Sequence, residues 1–342
     1  MELQRGQESA VAIGLNAVIV GVTGNSPRVL TVEGAKHRLA SLEELEALPF
    51  GPLDSSRGHT LEKNLRGWVS EQTGLNLGWV EQLYTFGDRD RGAIERRGAP
   101  RVLSVAYLAL VRERDQPIAG RARWKDYYDF LPWEDWREGC PSIIEREIIP
   151  LLCNWADSAT ESSTQMSRHD RIAISFGRDE AKWDQEKVLE RYELLYEAGL
   201  VSEARRELSN QTAAGSFQLD KRNEGTVNFS VGMGRPMVLD HRRMLATALG
   251  RLRGKIKYRP VIFELMPSTF TLFALQRVVE ALAGAPLHKP NFRRLVIKGG
   301  LVEKTGQFQG TTVESGRPAQ LFRFRQEVLR ERRTPGVSFS GG

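Results

Sequence analysis

Between residues 289 and 333 the chain carries eleven basic side chains against four acidic ones, a net of +7 where the whole protein has +6. Lys289, Arg293, Arg294, Lys298 and Arg317 are among them. Cations gathered at one end of an otherwise nearly neutral chain are the footprint of phosphate neutralisation, so the expected chemistry is capture of a nucleic-acid backbone.

The spacing around these residues predicts the elements that hold them. Leu272, Leu275, Val278, Val279 and Leu282 recur at helical intervals, Gly284 follows as a C-cap, and Pro286 prevents continuation. A second helix follows, with Asn291 as N-cap or early-turn residue and Gly299 and Gly300 closing it. In it Phe292, Leu295 and Val296 are expected to face inward and Arg293, Arg294 and Lys298 outward. A recognition helix needs that division, because one face packs while the other enters a major groove about 12 Å wide. Residues 301–304 and 321–324 then alternate as two short strands around a Gly- and Thr-rich tip, which reads as a basic wing. The expected DNA contacts are Lys289, Asn291, Arg293, Arg294, Lys298, Arg317 and Gln320. Any one arginine here contacts phosphate more often than a base edge, since half to two-thirds of protein–DNA hydrogen bonds go to the backbone. The alternative is a winged-helix-like fold used for protein contacts, against which the clustered arginines argue.

The rest of the chain bounds the answer. A length of 342 residues, 40% hydrophobic and 27% charged, allows two or three domains with a real core. Cys140 and Cys153 have neither metal-site spacing nor the number for a disulfide framework, which points to a reducing cytoplasm. The apolar run 10–22 is interrupted by Asn16, is too short to span a bilayer and lacks a leader's flanks, so a buried strand is expected. His37, His59, His169, His241 and His288 are scattered without metal-ligand spacing, and no metal is expected. There is no P-loop, and Gly232 and Gly234 lack the third glycine of a dinucleotide fingerprint.

Strands are predicted over 11–22, 28–32, 75–86 and 102–111, the last strongly apolar and central, with a helix over 61–73 ending at Gly74. That helix resembles the signature of the Nudix family, G-x5-E-x7-R-E-U-x-E-E-x-G-U, where U is a bulky aliphatic. With the last glycine at Gly74, residues Gly67, Trp68, Val69, Ser70, Glu71 and Gln72 fall on the R-E-U-x-E-E run and His59 on the first glutamate. Glu71 alone survives of the signature's carboxylates. Pyrophosphate hydrolysis needs Mg²⁺ clamped by several, so a nucleotide pocket without the reaction is expected: no catalytic residue, no metal and no required cofactor. The alternative is that Glu71 merely decorates the last helical turn.

Taken with residues 84–88, 104–110, 240–243 and 316–320 in that order, the chain resembles the Nudix-related transcriptional regulators of NAD metabolism over 10–112 and 236–325. The resemblance implies a repressor of NAD-biosynthesis or salvage genes acting as a homodimer on double-stranded operator DNA. It also implies an effector such as NAD, ADP-ribose or a related adenine nucleotide. Phe86, Asp88, Arg89 and Arg101, which flank the strands bordering the Nudix pocket, are with Glu71 the candidate ligand contacts.

Residues 113–235 do not match a usual Nudix domain and are expected to be an insertion. Trp124, Tyr127, Tyr128, Phe130, Trp133 and Trp136 could form an adenine-stacking lid or, alternatively, a core or oligomer interface. A polar link over 158–167, a strand over 172–176, a helix over 184–198 capped by Gly199 and a mobile stretch over 210–234 follow. In the next helix Leu245, Leu249, Leu252 and Ile256 make an apolar stripe, while Arg242, Arg243, Arg251, Arg253, Lys255 and Lys257 form a basic face that is either solvated or touches phosphate.

The fold class expected is α+β: a Nudix-like α/β/α sandwich over 1–258, with the insertion at 113–235 and a linker helix at 238–257, then a winged helix-turn-helix over 259–330 and a disordered tail over 331–342. The function expected is a cytoplasmic, nucleoid-associated regulator without membrane contact, whose ligand binds two conformations with different affinity. Two other classes stand beside it. One is an active Nudix pyrophosphohydrolase with an accessory nucleic-acid-binding domain; the other is an RNA-binding adaptor, which needs exposed stacking aromatics where Phe292, Phe322 and Phe324 are expected to be buried.

Overall fold

A computed structural model describes residues 11–33, 45–54, 56, 60–87, 101–112, 120, 122–213, 233–309 and 318–328. Strand β1 (Val11–Thr23) turns at Gly24, in the left-handed region at φ 63°, into its antiparallel neighbour β2 (Ser26–Glu33). β3 (Glu46–Ala47) pairs antiparallel with the end of β2, and β4 (Phe50–Pro52) pairs with the first half of β1. After helix α1 (Leu61–Thr73) come β5 (Val80–Phe86) and β6 (Arg101–Leu110). β6 runs parallel to β1 from Val11↔Arg101 to Val20↔Leu110, and the order β3-β2-β1-β6-β5 leaves β5 at the edge. Strands covered on both faces read as near-continuous apolar runs, which is why 102–111 was legible as central.

Alternation divides the sheet's contacts between two layers. Leu15, Ala17, Ile19, Val105, Tyr107 and Ala109 meet Leu65 and Val69 of α1 on one face. On the other, Val18, Val20, Leu83, Phe86, Ala106 and Leu108 belong to the larger core with the helices that follow.

Those helices differ in part from the sequence expectation. β7 (Ala122–Asp126) pairs with β2, so the aromatic segment enters directly from the sheet. Tyr127, Tyr128, Phe130 and Trp133 are core residues, which places them as packing rather than as an adenine-stacking lid. α2 (Ile149–Asp157) leads to α3 (Ser162–Phe176), a helix where a polar link and a strand over 172–176 were expected. Ile172, Ser175 and Phe176 point inward while Ile174 is 51% exposed, a helical division that the alternating Ile-x-Ile-x-Phe concealed. α4 (Val188–Glu197) begins later than expected, and α5 (Ser202–Ala213) takes up the first four residues of the supposed mobile stretch, of which 214–232 lie outside the described residues. The strand expected from residue 75 starts at Val80.

α6 (His241–Tyr258) buries its apolar stripe as expected, but its basic face is neither solvated nor free for phosphate. Arg242 and Arg253 are buried; Arg242 pairs with Glu203 at 3.1 Å and Arg253 with Glu134 at 2.5 Å. Arg243 pairs with Glu193, Lys255 with Glu81 at 2.6 Å and Lys257 with Glu186 at 2.7 Å. Carboxylates distant in sequence have absorbed five of the six cations, and Arg251 remains exposed.

A 3₁₀ turn at Pro260–Leu265 leads to β8 (Phe270–Thr271), α7 (Leu272–Ala283), α8 (Lys289–Lys298), β9 (Val302–Phe308) and β10 (Gln320–Phe324). The strands form a second sheet in the order β8-β10-β9. The fold is therefore α+β, a Nudix-like mixed sheet with helices followed by a winged helix. Among the described residues no helix is long and apolar enough to cross a membrane.

Candidate nucleic-acid interface and nucleotide site

The basic residues of the C-terminal third are positioned by α7. The Thr271 hydroxyl caps its N-terminus by accepting from the Ala274 amide at 3.1 Å, and Leu275, Val279 and Leu282 bury one side. Gln276 and Glu280 fix the turn to α8: the Gln276 amide donates to the Leu287 carbonyl at 3.1 Å, and Glu280 accepts from the Leu287 amide at 3.0 Å.

α8 starts at His288, whose extended backbone leaves Pro290 in the first turn, where its missing N–H is harmless. Asn291 lies inside that turn and is not the N-cap. Phe292 and Val296 are buried, whereas Lys289, Asn291, Arg293, Arg294 and Lys298 are exposed as expected. Leu295 departs from the expectation: with Phe292 and Val296 on the buried side, helical phase turns it to the flank, 36% exposed. Among the described residues Lys289, Arg293 and Lys298 take part in no ion pair, and Arg294 reaches only Asn291, at 3.4 Å. This unneutralised cationic face contrasts with the paired cations of α6. Gly300, at φ 62°, ends the helix and turns the chain into the wing.

In the wing Arg323 is neutralised across the ladder by Glu303 at 2.5 Å, and Gln320 sits half-buried at the start of β10. Arg317 lies outside the described residues.

The nucleotide-site expectations fare unevenly. α1 forms as read, capped by Thr60 through the Lys63 amide at 3.2 Å and ended by Gly74 at φ 75°. Two residues at signature positions serve to fasten it. The Trp68 indole donates to the Pro52 carbonyl at 2.8 Å, and the Gln72 amide both donates to the Phe50 carbonyl at 2.6 Å and accepts from its N–H at 3.2 Å. Gly51 has to be glycine there, because a Cβ would fall 2.3 Å from the Trp68 ring. A side chain set with one carboxylate, Glu71, and with Trp68 and Gln72 tied to backbone does not fit a Mg²⁺ clamp. Among the described residues no group of three or more His, Cys, Asp or Glu could hold a metal ion.

Glu71 is exposed on α1, which covers one face of the sheet. Phe86 belongs to the opposite face, 3% exposed beneath the Arg243 guanidinium 5.4 Å away, so the two are not brought together. Arg101 opens β6 with its side chain outside the described residues, as are Asp88 and Arg89.

Sequence reasoning missed the joint between the two parts. Glu134, buried after β7, receives both Arg191 (Nε–Oε1 2.6 Å, Nη2–Oε2 3.0 Å) and Arg253 (Nη1–Oε2 2.5 Å). Burial alone would raise this carboxyl, but the two guanidiniums hold it below the usual carboxylate range. Arg191 also lies 3.8 Å over the Trp183 ring. From this node bonds run to the end of α7: Arg253 Nε donates to the Leu282 carbonyl at 3.2 Å, the Tyr128 hydroxyl to that of Ala281 at 2.7 Å, and the Trp136 amide to that of Gly284 at 2.6 Å. Partners 57 and 119 residues apart leave no local signal of this in the sequence. An open cleft of about 870 Å³ lies between Trp79 and Arg112 on one side and Phe263, Glu303 and Phe324 on the other.

Residues 262–324 match the family model of the NrtR DNA-binding winged helix domain. A curated relative, the ADPR responsive transcriptional repressor NtrR of Acinetobacter baylyi, is 41% identical over 88 residues, 26% of this chain and 34% of that protein, so the match spans about a third of the relative's length. The crystal structure of Shewanella oneidensis NrtR complexed with a 27mer DNA superposes with a TM-score of 0.51 at 19% identity, covering 93% of this chain and 95% of that one. A MutT/nudix family protein from Enterococcus faecalis gives 0.49 at 14% identity over 95% and 90%. The resemblance to Nudix-related regulators read from the sequence is borne out by these matches.

Proposed function

We propose that the chain is a DNA-binding transcriptional repressor of NAD-biosynthesis or salvage genes, controlled by ADP-ribose or a related adenine nucleotide. The observation that carries the reading is the cationic face of α8, unpaired among the described residues and presented by a winged helix of matching family, while five of the six cations of α6 are consumed internally. The ADPR response named for the Acinetobacter relative favours ADP-ribose over NAD as effector. Residues 1–258 are the sensor and 259–330 the output, working in the cytoplasm as a homodimer on an operator with two half-sites. The sensor binds without hydrolysing, because Trp68 and Gln72 fasten α1 where the Nudix signature has carboxylates.

The test pairs a mobility shift with a turnover assay on the full chain. Duplexes enriched from a random library should be retarded, and ADP-ribose should change the retarded fraction; with Mg²⁺ the same protein should leave ADP-ribose intact. Turnover of ADP-ribose that Glu71→Gln abolishes would establish a pyrophosphohydrolase instead.

A further inference from the structure

The outward side of α8 holds a residue that phosphate capture does not explain. Ile297 is 46% exposed. With Phe292 and Val296 defining the buried side, a turn of 3.6 residues sets Ile297 about 100° from Val296 and about 140° from Phe292, on the outward arc between Arg293 one turn before it and the radial position of Arg294. A β-branched apolar side chain there adds nothing to the core and has poor helix propensity. Its place on the helix is thus not accounted for by folding. The three cations around it, Arg293, Arg294 and Lys298, meet no carboxylate among the described residues and complement a phosphate-lined groove.

Resting on the DNA-binding reading above, we infer that Ile297 is a specificity-determining residue that reads a thymine through its 5-methyl group in the major groove. The juxtaposition carries it: an exposed isoleucine at the centre of an unneutralised cationic helix face. In the major groove the thymine C5-methyl is the apolar feature a side chain can meet, and apolar contact with it separates A·T from T·A and from both G·C orientations. The surrounding arginines and lysine supply the backbone grip that sets register, and Ile297 supplies a test that only a methyl passes.

The experiment uses the full-length protein. A duplex is enriched from a random library, and each thymine in it is replaced singly by deoxyuridine, which removes the methyl and keeps every hydrogen-bonding edge. The expected result is one position per half-site where deoxyuridine weakens binding about three- to fivefold, the scale of burying one methyl group. Ile297→Ala should bind the thymine and deoxyuridine duplexes equally, while Ile297→Val keeps part of the preference. Since the side chain is exposed, both variants should melt like the parent. Equal binding of all deoxyuridine duplexes by the parent protein, or a deoxyuridine penalty that persists in Ile297→Ala, would overturn the assignment while leaving DNA binding intact. A shift in oligomeric state of DNA-free Ile297→Ala would overturn it too, by making this face a self-association surface. Failure to enrich any duplex would overturn the DNA-binding reading and this inference with it.

Discussion

Replacing Glu134 by glutamine should cost the protein several kcal/mol while removing almost no volume. The carboxylate is fully buried and accepts a bidentate pair from Arg191 and a third charged bond from Arg253, both themselves buried. A glutamine of the same shape leaves two guanidiniums in the interior without a counter-charge. Breaking a buried ion pair by removing one partner costs about 3–5 kcal/mol, because the remaining charge keeps its desolvation penalty. Against a total stability of roughly 5–15 kcal/mol that is a large share. Urea unfolding of both proteins measures it, with Trp183, 3.8 Å from Arg191, as a local fluorescence reporter. The pH dependence supplies a second reading. The Glu134 carboxyl is held below its usual value, so its stabilisation is present above the unfolded carboxylate pKa and is lost as pH falls through the folded one. The gap between parent and Glu134→Gln should therefore narrow under acid conditions. A loss below about 1 kcal/mol at pH 7 would refute the reasoning, since that is the scale of a surface pair.

Arg293→Ala and Arg294→Ala should each weaken binding to an enriched duplex by about 1–3 kcal/mol if bidentate to guanine, with unchanged melting, as mobility shifts and thermal scans will show. The buried imidazole of His241, which accepts from the Leu48 amide at 2.9 Å, is pushed down to about 3 by burial and stays neutral in the fold. Unfolded, it takes a proton below about 6.5, so this residue leaves stability unaffected above that pH and lowers it as pH falls toward 3, by up to about 1.4 kcal/mol per unit. Its ring resonances should accordingly show no titration between pH 8 and 5. Gly284→Ala should destabilise by more than the roughly 1–2 kcal/mol of a left-handed alanine, because φ is 68° and a Cβ would also fall 2.4 Å from the Glu134 carbonyl. Gly67→Ala, in the interior of α1 with open space around it, should stabilise by roughly 0.5–1 kcal/mol, and the two melting curves compare them directly.

The winged helix was legible because local chemistry specifies it. Gly284 and Gly300 both adopt the left-handed turns that end helices, and the buried and exposed positions of α8 follow the period of its apolar residues except at Leu295 and Ile297. α1 was legible for the same reason, down to Gly74. Where local pattern was ambiguous the reading failed: Ile172, Ile174 and Phe176 alternate like a strand, and only packing against neighbouring helices selects the helix that exposes Ile174. Long-range pairing was beyond reach altogether. Counting cations on α6 suggested a charged surface, yet Glu81, Glu134, Glu186, Glu193 and Glu203 arrive from other elements and neutralise it. Of the ligand residues proposed around the Nudix signature, Phe86 took the layer of the sheet away from Glu71, while Asp88, Arg89 and the Arg101 side chain lie outside the described residues.

Gly284 is where the end of α7, the Glu134 node and the turn into α8 come within touching distance. It is thus a pivot, and α8 is the pointer attached to it. α8 begins five residues later and, with ten residues, is about 15 Å long. Tilting such a pointer by about 10° carries its tip roughly 2.6 Å, most of the approximately 3.4 Å that separates neighbouring bases along one strand. Angular tolerance at a single glycine accordingly translates into linear tolerance along a groove, and a bearing this tightly seated allows the pointer little play.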